Sequence, residues 1–308
     1  MLAPLRYPIR QFRRFAYPEP GADFEDPADY GLEPESFEVV TTDGVRCRGW
    51  LFTPKEPWGV VIICHARSAG KSRTLRQARL LWERGLAVAT FDFRGCGDSA
   101  APPRRARRSL RAPLRDLEAV ARHVCRRFAA DPRTSGRVAL LGCSFGGNMV
   151  IAHAGHADRT YPAIMLDSTP LVHWADMLGA LLARERRDAR FPRARAVADR
   201  LVICSVVAWT RAEALYRHAR RSVRRLARTK ALLVIGTRDT LFDVEESHRF
   251  LSAYYAGDTE TWRVPRGRHL TNHVVDPEAY AARIVTFLAS AFEEAERRPQ
   301  SGEINAGI

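Results

Sequence analysis

Val138-Ala-Leu-Leu-Gly-Cys-Ser-Phe-Gly-Gly-Asn-Met-Val150 runs from apolar β-formers through a cluster of small residues into a helical pattern. Strand, then Gly142-Cys-Ser-Phe-Gly146, then helix is the order in which G-x-S-x-G presents a serine as a nucleophile. The serine must sit in a strained turn that lifts its hydroxyl clear of the sheet. The residues two before and two after it must be nearly free of side chain, because strand and helix pack closely there. Gly142 and Gly146 hold those positions, so Ser144 is the expected nucleophile; a turn of small residues that merely packs is the alternative. Cys143 stands beside the apex and not at it, which argues against a thiol nucleophile.

The flanking pattern extends in both directions. Ser36–Thr41 and Val45–Phe52 alternate as strands across Asp43-Gly44, a hairpin signature. Trp58–Cys64 and Leu86–Asp92 are continuous apolar runs of strand length, the mark of strands buried on both faces. Further strands are expected at 161–167, 231–236 and 259–264. Helices are expected at 73–84, 114–129, 145–154, 244–255 and 277–295, and residues 170–229 read as helical with no strand. Strands alternating with helices give βαβ units and a mostly parallel sheet. In such sheets ligand chemistry gathers at the carboxyl ends of the strands, where His65–Ser68, Asp92–Ser99, Ser144, Asp167 and Asp239 fall.

An activated serine needs a base, a group that orients the base, and donors for the oxyanion. For a serine in this turn the expected order is serine, acid, histidine. Asp239 lies three residues past Gly236, the end of a strand, and is the preferred acid. Asp243 fits better as the cap of the helix that opens with Glu245 and Glu246, and Asp167 is a further candidate. His269, in the turn Pro265-Arg-Gly-Arg-His269, is preferred as base over His273. The oxyanion donors would be the N–H groups of Phe145 and Arg67.

Together the hairpin, the loop with His65, Asp92-Phe-Arg-Gly-Cys-Gly-Asp-Ser99, Gly142–Gly147, Gly236-x-x-Asp239 and His269 resemble the α/β-hydrolase superfamily, in its small-lid serine hydrolase branch of esterases and serine-aminopeptidase-like enzymes. The resemblance covers roughly 35–168 and 230–295. It implies an eight-stranded sheet with helices on both faces, a helical lid inserted after the sixth strand, and no cofactor. The implied activity is cleavage of an ester or thioester through Ser144, His269 and Asp239. Amide or peptide cleavage and non-catalytic binding on the same fold are the alternatives. The family usually has His-Gly where His65-Ala66 stands, and often Gly-His where Arg268-His269 stands.

On this basis the chain divides into an irregular, proline-bearing arm (1–34), a first core segment (35–169), an arginine-rich lid (170–229), a second core segment (230–298) and a disordered tail (299–308). The 308 residues carry a net charge of +14. The excess is regional: nine arginines against two acids in 101–127, and 14 against five in 170–229. Both segments are expected near the mouth of the site, favouring an anionic acyl substrate; solvated arginine-rich helices are the plainer reading. Aromatic residues are not interleaved with the arginines, so a nucleic-acid partner is not expected. Ser68-Ala-Gly-Lys-Ser72 looks like the end of a phosphate-binding loop, but His65 stands where that pattern needs glycine. The six cysteines show no metal-ligand spacing. With no run long enough to span a bilayer and no signal-like start, a cytoplasmic location is expected.

Overall fold

The computed structural model describes residues 3–16, 25–99, 111–186, 192–210 and 212–297. Its strands are β1 (Glu35–Val40), β2 (Arg46–Phe52), β3 (Gly59–Cys64), β4 (Leu86–Phe91), β5 (Val138–Cys143), β6 (Ala163–Asp167), β7 (Lys230–Gly236) and β8 (Thr259–Val264). They form one sheet in the order β1-β2-β4-β3-β5-β6-β7-β8. The β1–β2 and β2–β4 pairs are antiparallel and the rest parallel, the expected α/β-hydrolase sheet. Gly44, at φ +79°, closes the first hairpin, and the Thr41 hydroxyl accepts the Val45 N–H at 2.9 Å.

Every residue of β3, β4 and β5 is buried, so the sheet has to be covered on both faces. The chain supplies two layers. Val60, Ile62 and Leu140 face a cluster with Val120 and Val124 of α3 (Leu114–Arg127) and Met149 and Val150 of α4 (Phe145–Ala154). Val61, Ile63 and Leu141 face the opposite way. They meet Leu75 and Ala78 of α2 (Leu75–Trp82) and Ile284 and Leu288 of a long C-terminal helix, Pro277–Arg297.

Between β6 and β7 come α5 (Trp174–Arg186), α6 (Pro192–Thr210) and α7 (Ala212–Ser222), helical as expected. The N-terminal arm departs from its reading: residues 3–16 form a helix, α1 (Ala3–Ala16), although prolines at 4 and 8 argued for irregular chain. Pro4 falls in the first turn, where no intrahelical acceptor is lost, and only Pro8 removes a hydrogen bond. Tertiary contacts outweigh that loss. Phe12 meets Trp209 edge-on, the Tyr7 hydroxyl donates to Asp199 at 2.6 Å, and Arg14 pairs with Glu185. Residues 17–24 of the arm, 100–110 of the first arginine-rich segment and the tail at 299–308 lie outside the described residues. Among the described residues no helix is long and apolar enough to cross a membrane.

Candidate active site

Ser144 occupies the turn between β5 and α4 at φ 52°, ψ −113°, a region that side chains rarely enter. Such strain costs on the order of 1–3 kcal/mol and persists only where the surroundings enforce it. Here α4 is buried along all ten residues and pressed onto the sheet. The Ser144 N–H donates to the Asp167 carbonyl at 2.8 Å. A Cβ on Gly142 would overlap the Gly147 backbone, and one on Gly146 would overlap the Cys64 carbonyl. Both glycines are therefore demanded by backbone approach.

β7 ends at Gly236, where a Cβ would run into the Gly267 carbonyl. Past this point the loops after β7 and β8 zip together. Thr237 N–H donates to Val264 O at 3.0 Å and Arg238 N–H to Gly267 O at 2.8 Å. That pairing carries Asp239 and His269 toward each other across 30 residues of chain, and His269 reaches Ser144. His269 Nδ1 lies 2.8 Å from Asp239 Oδ2, and its Nε2 lies 3.0 Å from Ser144 Oγ. A carboxylate only accepts, so Nδ1 carries the proton and Nε2 is left to accept from the serine hydroxyl. The second Asp239 oxygen accepts the Leu241 N–H at 2.9 Å, and the carboxylate is fully buried.

The competing candidates have other occupations. Asp243 caps α8 (Val244–Tyr254), accepting the Glu246 N–H at 2.9 Å. Burial lowers the pKa of His273, which packs edge-on against Tyr280. Asp167 sits in a buried polar knot, accepting from Ser168, Asn272 and Tyr280 at 3.0, 2.7 and 2.8 Å. Cys143 faces Gln77, and burial pushes its thiol pKa far up.

The loop after β3 is fastened by groups the motif reading did not assign. His65 Nε2 accepts the Phe93 N–H at 3.0 Å, so Nδ1 carries the proton toward Ala66 O at 2.7 Å. Lys71 is buried, with Nζ 2.8 Å from Asp92 and 2.7 Å from Asp98. The lysine of the phosphate-loop look-alike thus ties two loops together. Arg94 does the same for its own loop, pairing with Asp116 at 2.7 Å and Asp43 at 2.8 Å. The sequence marks Asp92 only as a polar residue at the end of an apolar strand, and Lys71 only as part of the phosphate-loop look-alike. Phe145 opens α4, so its N–H has no intrahelical acceptor, and Arg67 lines the same space over Ser144.

That space is a cavity of ≈ 280 Å³ lined by Ser144, Phe145, His269 and Arg67, with Trp174, Met177 and Leu178 from α5 and Leu215 and Tyr216 from α7. The expectation that the arginine-rich segments crowd the mouth does not hold for the described residues, since Arg67 is the one arginine in the lining. Arg220 instead covers Phe250, Arg224 covers Tyr254, and Arg195 covers Tyr7. Such stacking lets the helices turn apolar residues inward and keep their charge outward. A larger cavity, ≈ 560 Å³ between α3, α4 and α7, contains none of Ser144, Asp239 and His269.

A mostly parallel eight-stranded sheet with a serine on the β5–α4 turn is the architecture of an α/β-hydrolase. The chain belongs to the family described as serine aminopeptidase, S33, which matches residues 55–273. Among solved structures it is similar to the esterase Pf2001 of Pyrococcus furiosus, with a TM-score of 0.66 at 22% identity over 89% of this chain and 98% of that one. It is also similar to the α/β-hydrolase GrgF of Penicillium sp. sh18, with a TM-score of 0.62 at 21% identity over 85% of this chain and all of that one. At these identities the likeness is one of fold. In sequence it is 31% identical to the uncharacterized protein YfhR of Salmonella typhi over 47% of this chain and 53% of that one. The chain spans about half the length of the curated relatives it matches.

Proposed function

We propose that the protein is a serine hydrolase that cleaves a carboxylic ester or thioester of a small-molecule acyl substrate. One observation carries the reading: His269 bridges Ser144 Oγ at 3.0 Å and Asp239 at 2.8 Å with its two ring nitrogens. In the proposed reaction Ser144 Oγ attacks the acyl carbon while His269 Nε2 takes its proton. The N–H groups of Phe145 and Arg67 stabilise the oxyanion, and Asp239 holds the imidazole and its developing charge. His269 returns the proton to the departing alkoxide or thiolate, leaving an acyl-serine. Water, deprotonated by the same nitrogen, then releases the carboxylic acid and restores Ser144.

Helices α5–α7 act as the lid, supported by the apolar residues that α5 and α7 turn toward Ser144. The cavity composition also favours an ester over an aminopeptidase substrate. A free α-ammonium group calls for a carboxylate near the scissile bond, and none of the described lining residues is Asp or Glu. The test is labelling with a fluorophosphonate probe. Wild type is expected to label and Ser144→Ala to remain unlabelled; labelling that survives the substitution, or an unreactive wild type, overturns the proposal.

A further inference from the structure

Among the described residues, the chamber over Ser144 holds a charge with no carboxylate beside it. Arg67 is the one Arg or Lys among its lining residues, and no carboxylate shares the lining with it. Its guanidinium lies between two other lining residues. Nη2 donates to the Phe15 carbonyl at 2.5 Å, and Cζ sits 4.9 Å from the centre of the Trp174 ring. Both partners are neutral. Burial pulls the group down to about 10, with only the Tyr216 phenol and the Cys96 thiol acting to raise it, so it remains a cation at neutral pH. The indole N–H of Trp174 is also buried and has no acceptor among the described residues.

Elsewhere among the described residues the buried cations are neutralised. Lys71 has Asp92 and Asp98, and Arg94 has Asp43 and Asp116. A buried charge without a partner is costly enough that a folded protein seldom keeps one. Arg67, partly exposed where it lines the cavity over Ser144, has no such partner among the described residues.

Resting on the serine-hydrolase reading, we infer that Arg67 and Trp174 bind an anionic oxygen group at the far end of the acyl chain, making the substrates esters of short ω-carboxylated acids rather than of plain fatty acids. Arg67 then serves both ends of the acyl group: its N–H faces the oxyanion and its guanidinium the distal carboxylate. The arginine side chain sets how many methylenes fit between them. Met177, Leu178 and Leu215 supply the apolar wall those methylenes need. Unlike the lid arginines, whose stacking keeps them out of the cavity, Arg67 reaches the ligand from the core.

The test is binding to Ser144→Ala protein, which cannot turn the ligand over, with monomethyl adipate and dimethyl adipate titrated calorimetrically. A charge-assisted contact predicts binding of the half ester about tenfold or more tighter than the diester. That preference should shrink as salt is raised, collapse to about one in Ser144→Ala/Arg67→Gln, and survive in part in Ser144→Ala/Arg67→Lys. Equal or weaker binding of the half ester by Ser144→Ala overturns the inference, with no need for the Arg67 variants to fold. So does a preference unchanged by Arg67→Gln, or equal weakening of both ligands, which is what a structural clamp on Phe15 gives. Fluorophosphonate labelling without the preference sinks this inference alone, whereas the preference without labelling sinks the hydrolase reading and leaves the anion site standing.

Discussion

Asp239→Asn reverses the direction of the hydrogen-bond chain at the proposed triad. In the wild type one carboxylate oxygen accepts the Leu241 N–H at 2.9 Å and the other faces His269 Nδ1 at 2.8 Å. An asparagine there has only one oxygen, and the Leu241 N–H fixes it on that side. Its amide NH2 is then turned to His269, so Nδ1 must accept and the ring proton moves to Nε2. The nitrogen facing Ser144 now donates where it must accept, and base assistance is lost while the shape stays the same. In serine proteases, which supply the magnitude, this tautomer error lowers turnover about 10⁴-fold, or about 5 kcal/mol of barrier. The rate constant for fluorophosphonate labelling is the assay, because it reads serine reactivity without knowledge of the natural ester. Stability should change by less than about 1 kcal/mol, since the Leu241 bond survives. A folded Asp239→Asn protein that labels within about tenfold of the wild-type rate refutes the reasoning, because base assistance alone is worth about 10²–10⁴-fold.

Asp243→Ala should cost about 0.5–2 kcal/mol in chemical denaturation through loss of the α8 cap and leave the labelling rate unchanged. Gly146→Ala forces a methyl group into the Cys64 carbonyl and should cost about 1–3 kcal/mol while slowing labelling, since it pushes on the loop that carries Arg67. Lys71→Met removes the ion-pair partner of the fully buried Asp92; a loss of about 3–5 kcal/mol is expected by urea titration, and a change under about 1 kcal/mol would show the pair to be dispensable. His153 is buried against Tyr161, and desolvation lowers its pKa to about 4 from 6.5. The folded state therefore resists a proton that the unfolded chain takes up, so this contribution is whole above about pH 6.5 and lost as pH falls toward about 4. It amounts to roughly 3 kcal/mol, and His153→Gln should flatten the fall in urea-derived stability relative to wild type across that window.

The strands were readable because burial on both faces leaves little but apolar residues in β3, β4 and β5, and the β5–α4 turn because only glycine tolerates its backbone contacts. Asp239 and His269 could be chosen over Asp243 and His273 because a helix cap has a local signature, whereas a triad acid follows a strand end. Helix α1 was misread because proline propensity is local and the contacts with Trp209, Asp199 and Glu185 are distant. The arginine-rich segments misled for a related reason: composition counts charge but does not say which face of a helix carries it.

By itself the sequence determined the α/β order, the strained serine and the two side chains proposed to serve it, since each depends on periodicity or on contacts within a short stretch. The tertiary structure decided what surrounds them. It made Lys71 a buried tie rather than a phosphate ligand, stacked Arg195 and Arg220 on rings outside the cavity lining, and left Arg67 inside it with neutral partners. Those outcomes turn on which distant residues share a low-dielectric space, and the energy of a charge there is fixed by its neighbours in three dimensions and not by its neighbours in the chain.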